Sequence, residues 1–220
     1  MSKVGYILKH IIPASIIRHR LSSKGSKRCV LFTFDDGPHP EITPRVLDVL
    51  DQYGARAIFF IPANRIIKSP KLIKEIINRN HEIGNHSLTH APSHHLSFRE
   101  IVNEINKCRD ELFFYSGIKT SFYRPPMGIV TTSLLFASLF CKHKILRWSL
   151  DSGEYSYMRN ASPFALAENF MKRIRDRDII LSHDDKDTTP DYLELVLPKL
   201  IDQGFNLSDG LPSLKSSTSY

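Results

Sequence analysis

The sequence predicts a single α/β domain in which parallel strands, separated by helices, curl into a barrel. Two patterns support this fold class. Short runs of branched and aromatic residues alternate with longer segments whose apolar residues recur at helical spacing, and polar residues follow most of the short runs. Strands that alternate with helices pair in parallel, because each crossover returns the chain to the same end of the sheet. The 220 residues contain no internal repeat and no linker, so we expect one domain.

Each element follows from a local pattern. The first strand is predicted over residues 29–34, an apolar run that ends at the turn sequence DDGP. A helix over residues 43–52 follows, because Val46, Leu47 and Leu50 supply one apolar side. The same reasoning predicts further strands over residues 57–61, 81–85, 121–123, 145–150, 179–182 and 205–207. It predicts further helices over residues 70–79, 97–115, 163–175 and 191–203.

Composition excludes several classes of protein. Hydrophobic residues make up 41% of the chain, yet no run approaches the roughly 18–20 apolar residues of a membrane span, so no transmembrane helix is expected. Cys29, Cys108 and Cys141 are too few and too scattered for a disulfide framework or a cysteine-rich metal site. We therefore expect reduced thiols and a cytoplasmic location.

The net charge of +7 lies in the first part of the chain. Residues 1–28 contain seven basic residues and no acidic one, whereas the remaining residues hold 23 of each and are neutral. A nucleic-acid-binding domain carries its basic residues on the folded surface, so we expect no nucleic-acid partner. The excess of basic residues instead marks residues 1–28 as a basic arm.

The arm has an amphipathic pattern. Its apolar residues recur at roughly helical spacing up to Ile16 and Ile17, although Pro13 would kink such a helix. Lys9 and His10 interrupt the apolar residues and no small-residue cleavage site follows, so no cleavable signal peptide is expected. Two interpretations stay open: the arm packs on the flank of the domain, or it lies on the anionic inner face of a membrane.

Polar side chains follow successive predicted strands: Asp35 and Asp36, then His86 and His90, then Arg124, Asp151 and His183. The carboxyl ends of parallel strands lie at one edge of a sheet, where α/β proteins bind ligands. His86 and His90 are four residues apart, which would place both rings on one side of a helical turn. Two histidines and one aspartate suit Zn²⁺ or a similar divalent ion, and the second aspartate would stay available as a base. Each signal alone is typical of a turn or loop, but together they indicate an active site.

Five short motifs occur in order: TFDDGP at residues 33–38, HSLTH at 86–90, RPPMG at 124–128, WSLD at 148–151 and LSH at 181–183. Together they resemble the motifs of the NodB-type polysaccharide deacetylases, carbohydrate esterase family 4. The resemblance implies a distorted (β/α) barrel of the NodB-homology type, with one divalent metal ion and hydrolysis of acetyl groups on a carbohydrate. Residues 29–210 are then the predicted catalytic domain, residues 1–28 the arm and residues 211–220 a C-terminal tail.

The resemblance implies roles for three groups of residues. The metal ligands would be Asp36, His86 and His90, holding Zn²⁺ or else Co²⁺, Ni²⁺, Fe²⁺ or Mn²⁺. The catalytic residues would be Asp35 as general base, His183 as general acid and Arg124, which orients Asp35. Contacts to the substrate and the oxyanion would come from Met127, through its backbone N–H, and from Asp151, Glu154, Tyr155 and Leu181.

Several positions depart from the family pattern. Met127 stands where the family usually has tyrosine, and Glu154 and Tyr155 replace the usual aspartate and tryptophan of the fourth motif. The longer glutamate alters the group that tunes the catalytic histidine, and the smaller tyrosine alters the acyl pocket. Asp184 and Asp185, directly after the last motif, are expected to lie in a solvated loop.

Three functions follow as hypotheses. The leading one is a metal-dependent hydrolase that removes N-linked, or O-linked, acetyl groups from an amino-sugar glycan or a lipid-linked saccharide. The first alternative is a deformylase or other amidase on a lipid-linked amino sugar. The second is a catalytically silent glycan-binding domain, which the presence of all five motif carboxylates and histidines disfavours.

Overall fold

The structure, a computed structural model, describes residues 16–22 and 27–216, and these contain one parallel sheet. Its strands are β1 (Ile17–Arg18), β2 (Leu31–Asp35), β3 (Ala57–Ile61), β4 (Glu82–Asn85), β5 (Phe122–Tyr123), β6 (Lys144–Leu146), β7 (Leu150–Asp151) and β8 (Ile179–His183). They follow the order β1-β6-β5-β4-β3-β2-β8-β7 across the sheet. The predicted α/β class and parallel pairing are confirmed.

Two segments of the chain cross from the β6 side of the sheet to the β8 side. After β1, the Leu21 N–H donates to the Arg177 carbonyl, 2.9 Å away and just before β8. After β6, the Arg147 N–H donates to the Arg18 carbonyl at 2.8 Å, and the Ser149 N–H then donates to the Ile179 carbonyl at 2.9 Å. Because both segments pass from the β6 side to the β8 side, the sheet curls into a barrel, as predicted.

Helices connect the strands and cover the outside of the sheet. They are α1 (Ile42–Gln52), α2 (Ala63–Ile66), α3 (Pro70–Asn78), α4 (Phe98–Ser116), α5 (Thr132–Phe140), α6 (Pro163–Arg173), α7 (Thr188–Asp202) and α8 (Gly210–Ser216). The longest, α4, begins at a capping box formed by Ser97 and Glu100 and ends at Gly117, whose φ of 72° suits glycine.

Strand side chains alternate between a helix-covered outer face and an inner face. On the outer face, Phe34 packs against Phe59 with ring centroids 5.0 Å apart, within the largest apolar core. On the inner face, Leu31 packs with Leu214 of α8 in a smaller core. Asp35 is four residues after Leu31 and shares its face, so it meets the other polar residues at the carboxyl ends of the strands.

The predicted strand over residues 145–150 is wrong as a single element. Residues 144–146 form β6, which pairs with β1 and β5, whereas residues 150–151 form β7, which pairs with β8 in the other half of the sheet. Trp148 lies in the crossing segment between them and packs on the inner core. The sequence hides this crossing, because apolar residues alternate through it at Leu146, Trp148 and Leu150 as they would along one strand.

The helix predicted for the arm is corrected where the structure describes it. Ile17–Arg18 is a strand paired with β6, and the Ile17 side chain is buried in a core with Ile101 and Ile145. Hydrogen bonds from the Ile145 and Arg147 N–H groups to the Ile16 and Arg18 carbonyls hold this segment extended. Residues 1–15 and 23–26 lie outside the described residues, so both interpretations of residues 1–15 stay predictions.

The predicted tail begins as part of the fold. Residues 211–216 belong to α8, and Leu211 and Leu214 are buried. Residues 217–220 lie outside the described residues, and the predicted domain boundaries stay predictions. In the described ranges, no helix combines the length and the apolar character that crossing a membrane requires.

Candidate active site

Three side chains that could bind a metal converge where β2 and β4 end. The Asp36 carboxylate lies 3.1 Å from His90 Nε2 and 3.5 Å from His86 Nε2. All three ligand atoms lie within 4.8 Å of one another. His86 is buried, whereas Asp36 and His90 are partly open to solvent. The predicted ligand set is therefore brought together.

A loop, and not the predicted helical turn, places the two histidines side by side. Ser87 and His90 both have positive φ, at 72° and 62°, which folds the chain back within five residues. The Ser87 hydroxyl accepts a hydrogen bond from the His90 N–H at 2.9 Å, and the Ser87 carbonyl accepts one from Ala63 at 3.0 Å. These bonds fix the loop and bring the rings to 4.9 Å between centroids.

Two of the three distances between the donor atoms fit a tetrahedral zinc ion. Bonds of about 2.0–2.1 Å to zinc place neighbouring ligand atoms about 3.3 Å apart, and the Asp36 oxygen lies 3.1 and 3.5 Å from the two nitrogens. His86 Nδ1 donates to the Arg124 carbonyl at 2.8 Å, which leaves Nε2 to face the site. Burial opposes ionisation of Asp36, but hydrogen bonds with His86 and His90 outweigh it and hold the pKa of this carboxyl well below its usual range.

Asp35 is held apart from this ligand set by a buried arginine. Arg124 is completely buried and donates to the Asp35 carboxylate at 2.8 Å and to the Thr33 hydroxyl at 2.7 Å. It also donates to the Leu146 carbonyl at 3.0 Å, and its guanidinium lies 4.2 Å from the Phe60 ring centroid. Burial lowers the pKa of Arg124 while Asp35 opposes that shift. One Asp35 oxygen therefore accepts the hydrogen bond from Arg124. The other faces the metal ligands and lies 3.8 Å from His86 Nε2.

His183 is paired with the glutamate that replaces the usual aspartate. Its Nδ1 donates to Glu154 at 3.2 Å, and the same carboxylate accepts from the Ser182 hydroxyl at 2.8 Å and from the Ser152 hydroxyl. Burial lowers the pKa of His183, but the hydrogen bond and charge of Glu154 outweigh it and raise this pKa to about 8. Glu154 thus reaches the histidine that the usual aspartate would tune.

Replacing Glu154 by glutamine is expected to shift the pH dependence of turnover. His183 can donate a proton only while it is protonated, so activity falls as pH rises through its pKa. Removing the carboxylate removes the charge that raises this pKa, so the alkaline limb of kcat/KM should move to lower pH in Glu154→Gln. The profile of the zinc-loaded variant is compared with that of Glu154→Asp, which keeps the charge. If the alkaline limbs of kcat/KM in the two variants coincided, the charge of Glu154 would not set the pKa of His183.

A cleft of about 250 Å³ opens beside the ligand set; its walls are Asp36, Pro62, Asn64, Arg65, His90, Tyr155 and Asp185. The Tyr155 hydroxyl donates to Asp185 at 3.0 Å, and Arg65 pairs with the same carboxylate at 3.3 Å. The Tyr155 ring lies 4.3 Å from the His183 ring between centroids. Tyr155 therefore forms the wall between His183 and the open side of the cleft.

The expected solvated loop at Asp184 and Asp185 is wrong. Asp184 is 1% exposed and accepts a hydrogen bond from the Thr43 hydroxyl at 2.5 Å. Burial raises its pKa to about 7. A Cβ on Gly37 would lie 2.0 Å from this carboxylate, so glycine in the DDGP turn allows the close approach. Asp184 supports the turn, and Asp185 faces the cleft.

The remaining predicted contacts lie around this centre. Met127 has a φ of 56° and a 70% exposed side chain, which faces solvent, and it is not among the residues that line the cleft. Leu181 lies on β8 two residues before His183 and is buried on the inner face. Asp151 does not line the cleft, because its carboxylate accepts from the Gly153 N–H at 2.8 Å and the Ser156 hydroxyl at 3.1 Å.

Sequence reasoning missed Arg65, Asn64 and Thr33. Arg65 and Asn64 lie on α2, directly after β3. Because they are polar residues that follow a predicted strand, the sequence pattern could have identified them. Thr33 lies within the first motif; its hydroxyl donates to the Ile180 carbonyl and accepts from Arg124.

Comparisons of the sequence with known proteins agree on one family. The profile described as polysaccharide deacetylase matches residues 22–144. A peptidoglycan-N-acetylglucosamine deacetylase of Bacillus cereus is 31% identical over 184 residues, covering 82% of this chain and 85% of that protein. The peptidoglycan-N-acetylglucosamine deacetylase PgdA of Listeria monocytogenes is 30% identical over 197 residues, or 90% of this chain. The chain spans 41% of the length of that longer relative.

Solved structures share the fold. The peptidoglycan deacetylase PdaC of Bacillus subtilis has a TM-score of 0.79 at 28% identity, covering 87% of this chain and 93% of that one. A family 4 pseudoenzyme of Bacillus anthracis has a TM-score of 0.81 at 24% identity, covering 91% of this chain and 69% of that one. These two likenesses show that the chain shares its fold with both proteins.

Proposed function

The chain belongs to the polysaccharide deacetylase family, and from this we propose that it is a metal-dependent hydrolase that removes acetyl groups from an amino-sugar glycan or a lipid-linked saccharide. The observation that carries the proposal is that three functional units meet at the carboxyl ends of neighbouring strands: the metal ligand set, Asp35 with its arginine, and His183 with its glutamate. Amide hydrolysis requires all three kinds of group.

We assign the metal to Asp36, His86 and His90, with zinc as the preferred ion because two imidazole nitrogens and one carboxylate oxygen are donors that zinc favours. A divalent ion bound there would lower the pKa of a water molecule and polarise the acetyl carbonyl. The backbone N–H of Met127 would donate to the carbonyl oxygen, a role that does not depend on its solvent-exposed side chain.

Two residues of this chain would move the protons. Asp35 accepts a proton from the attacking water through the oxygen that Arg124 does not hold, and Arg124 keeps that carboxylate in place. His183 then donates its proton to the departing nitrogen, since Glu154 favours the protonated imidazole. Tyr155 and Asp185 would shield this histidine from bulk water on the cleft side.

The test is hydrolysis of defined acetylated substrates by the purified, zinc-loaded protein. N-acetylated chitooligosaccharides and peptidoglycan fragments should release acetate and gain a free amine. O-acetylated sugars and N-formyl amino sugars in parallel separate the alternatives, since formate release alone would indicate the deformylase. No product from any substrate by a folded, zinc-loaded protein would support the silent glycan-binding domain.

We also propose a cytoplasmic location, which is consistent with the three free, buried cysteines among the described residues. We further propose that residues 1–15 contact an anionic membrane surface. These residues contain Lys3 and Lys9 among aliphatic residues and no acidic residue.

Deleting residues 1–15 is expected to weaken binding to anionic vesicles about tenfold or more, because each basic residue near such a surface contributes about 1 kcal/mol. The deletion ends there because Ile17 and Leu21 are buried and pair with the sheet. Co-sedimentation measures binding, and turnover on a short soluble substrate should not change. A deletion that unfolds or aggregates would show that residues 1–15 pack on the domain instead.

A further inference from the structure

The carboxylate of Glu154 is held by hydroxyl groups as well as by His183. Its Oε1 accepts from His183 Nδ1 at 3.2 Å and from the Ser182 hydroxyl at 2.8 Å. Its Oε2 accepts from the Ser152 hydroxyl. The Ser182 oxygen also lies 2.8 Å from the Tyr192 hydroxyl oxygen. All five residues are buried, so a continuous set of hydrogen bonds links the histidine to a tyrosine of α7.

The number of available protons gives these hydrogen bonds a direction. Burial raises the pKa of Glu154, but the hydrogen bond and charge of His183 and the hydroxyl of Ser152 outweigh it and lower this pKa, so the carboxylate is ionised and only accepts. Ser182 has one proton, which it donates to Glu154. Burial raises the pKa of Tyr192 well above its usual value, so the phenol keeps its proton. Tyr192 therefore donates to Ser182, and Ser182 donates to Glu154.

Tyr192 and Ser182 lie in the largest apolar core. The Tyr192 ring lies 6.3 Å from that of Phe170 between centroids, and both belong to this core. Ser182 lies on the outer face of β8, two residues after Ile180 and in register with Phe34 of β2, which are apolar members of the same core. A hydroxyl buried among apolar side chains costs free energy unless it has a partner. An apolar pair at these two positions would fill the core without that requirement.

Glu154 needs more support than a shorter acid would. A glutamate side chain has one more rotatable bond than an aspartate, so its carboxylate can take more positions. In this chain hydroxyls hold both carboxylate oxygens, and this arrangement keeps Oε1 at Nδ1 of His183. The bond made by Nδ1 sets the orientation of the imidazole and leaves Nε2 as the nitrogen that can donate to substrate.

We propose that Ser182 and Tyr192 are positioning residues, which hold Glu154 and through it the imidazole of His183 for proton donation to the departing nitrogen. The inference rests on the proposed hydrolase function. Neither Ser182 nor Tyr192 is among the residues that line the cleft. Their substitution should therefore change catalysis only through Glu154.

The test compares two substrates of the zinc-loaded protein, an N-acetylated chitooligosaccharide and 4-nitrophenyl acetate. The amide needs a proton on its departing nitrogen, whereas 4-nitrophenolate leaves as a stable anion, so only amide hydrolysis depends on the general acid. Ser182→Ala and Tyr192→Phe each remove one hydroxyl, and Ser182→Thr keeps it. Ser138→Ala is the matched control, because Ser138 is also fully buried and its hydroxyl donates to the Leu135 carbonyl within α5 at 2.9 Å. Zinc content and thermal unfolding are measured for every protein.

We expect Ser182→Ala to lower kcat for the amide about tenfold or more, because a small displacement of a catalytic group has effects of this size. KM, zinc content and turnover of the ester should not change. Tyr192→Phe should act in the same direction but less strongly, because Ser182 still donates to Glu154. Ser182→Thr should hydrolyse the amide faster than Ser182→Ala, and Ser138→Ala should match the wild type on both substrates.

Two results with Ser182→Ala would overturn the proposal. One is amide turnover equal to that of the wild type. The other is an equal loss on both substrates, which would show that the hydroxyl supports the fold and not the proton donor. Either result leaves the proposed hydrolase intact, because the wild type still releases acetate from the amide. A wild type that hydrolyses neither substrate would overturn the proposed function and this inference together.

Discussion

Asp35→Asn is expected to keep its zinc and lose turnover by about 10²–10⁴-fold, the usual contribution of a positioned general base. The asparagine oxygen can still accept the hydrogen bond from Arg124, but it cannot take a proton from water. Zinc content and acetate release are measured on the same preparation. Because the substitution leaves the buried Arg124 without its counter-charge, thermal unfolding is recorded alongside.

Asp36→Asn is the matched variant for this experiment. The two aspartates are adjacent, yet Asp36 faces both histidines and Asp35 faces the arginine. Asp36→Asn should therefore lose zinc as well as turnover. If Asp35→Asn released its zinc while Asp36→Asn retained it, the assigned roles of the two aspartates would be reversed.

His86→Ala is expected to abolish stable zinc binding and turnover together. His86 is buried, and its Nδ1 bond to the Arg124 carbonyl holds Nε2 toward Asp36. Loss of a residue that only orients a ligand already weakens metal affinity 10–100-fold, so loss of the ligand should weaken zinc binding by more than about a hundredfold. Zinc affinity is measured by competition with a chromophoric chelator.

His94→Ala is the control for the loss of an imidazole. His94 lies in the same connection between β4 and α4, is exposed, and lies outside the ligand set. It should bind zinc and hydrolyse substrate like the wild type. Zinc retention by His86→Ala at the wild-type affinity would remove this residue from the site.

The sequence was sufficient to predict the order of most strands and helices, because buried strands and amphipathic helices leave clear periodic patterns. Helix α5 was missed for a physical reason: its residues are apolar on both sides, so it has no helical periodicity. The division of residues 144–151 into β6 and β7 was missed because the crossing at Trp148 is also packed against the core.

The candidate site was predicted in its residues but not in its local geometry. Strand ends mark one edge of a parallel sheet, which is why Asp35, His86 and His183 could be grouped from the sequence. The positive φ of His90 depends on loop hydrogen bonds that spacing does not reveal. Arg65 and Asp185 are 120 residues apart, and only the fold places them on one cleft wall.

Zinc titration of metal-free protein tests the central claim most directly, with acetate release from an N-acetylated amino-sugar oligomer as the readout. A site formed by Asp36, His86 and His90 predicts that the rate rises linearly with zinc and reaches a plateau at one ion per chain. A rate that does not depend on zinc, or a protein that binds one zinc ion and releases no acetate, would contradict the account.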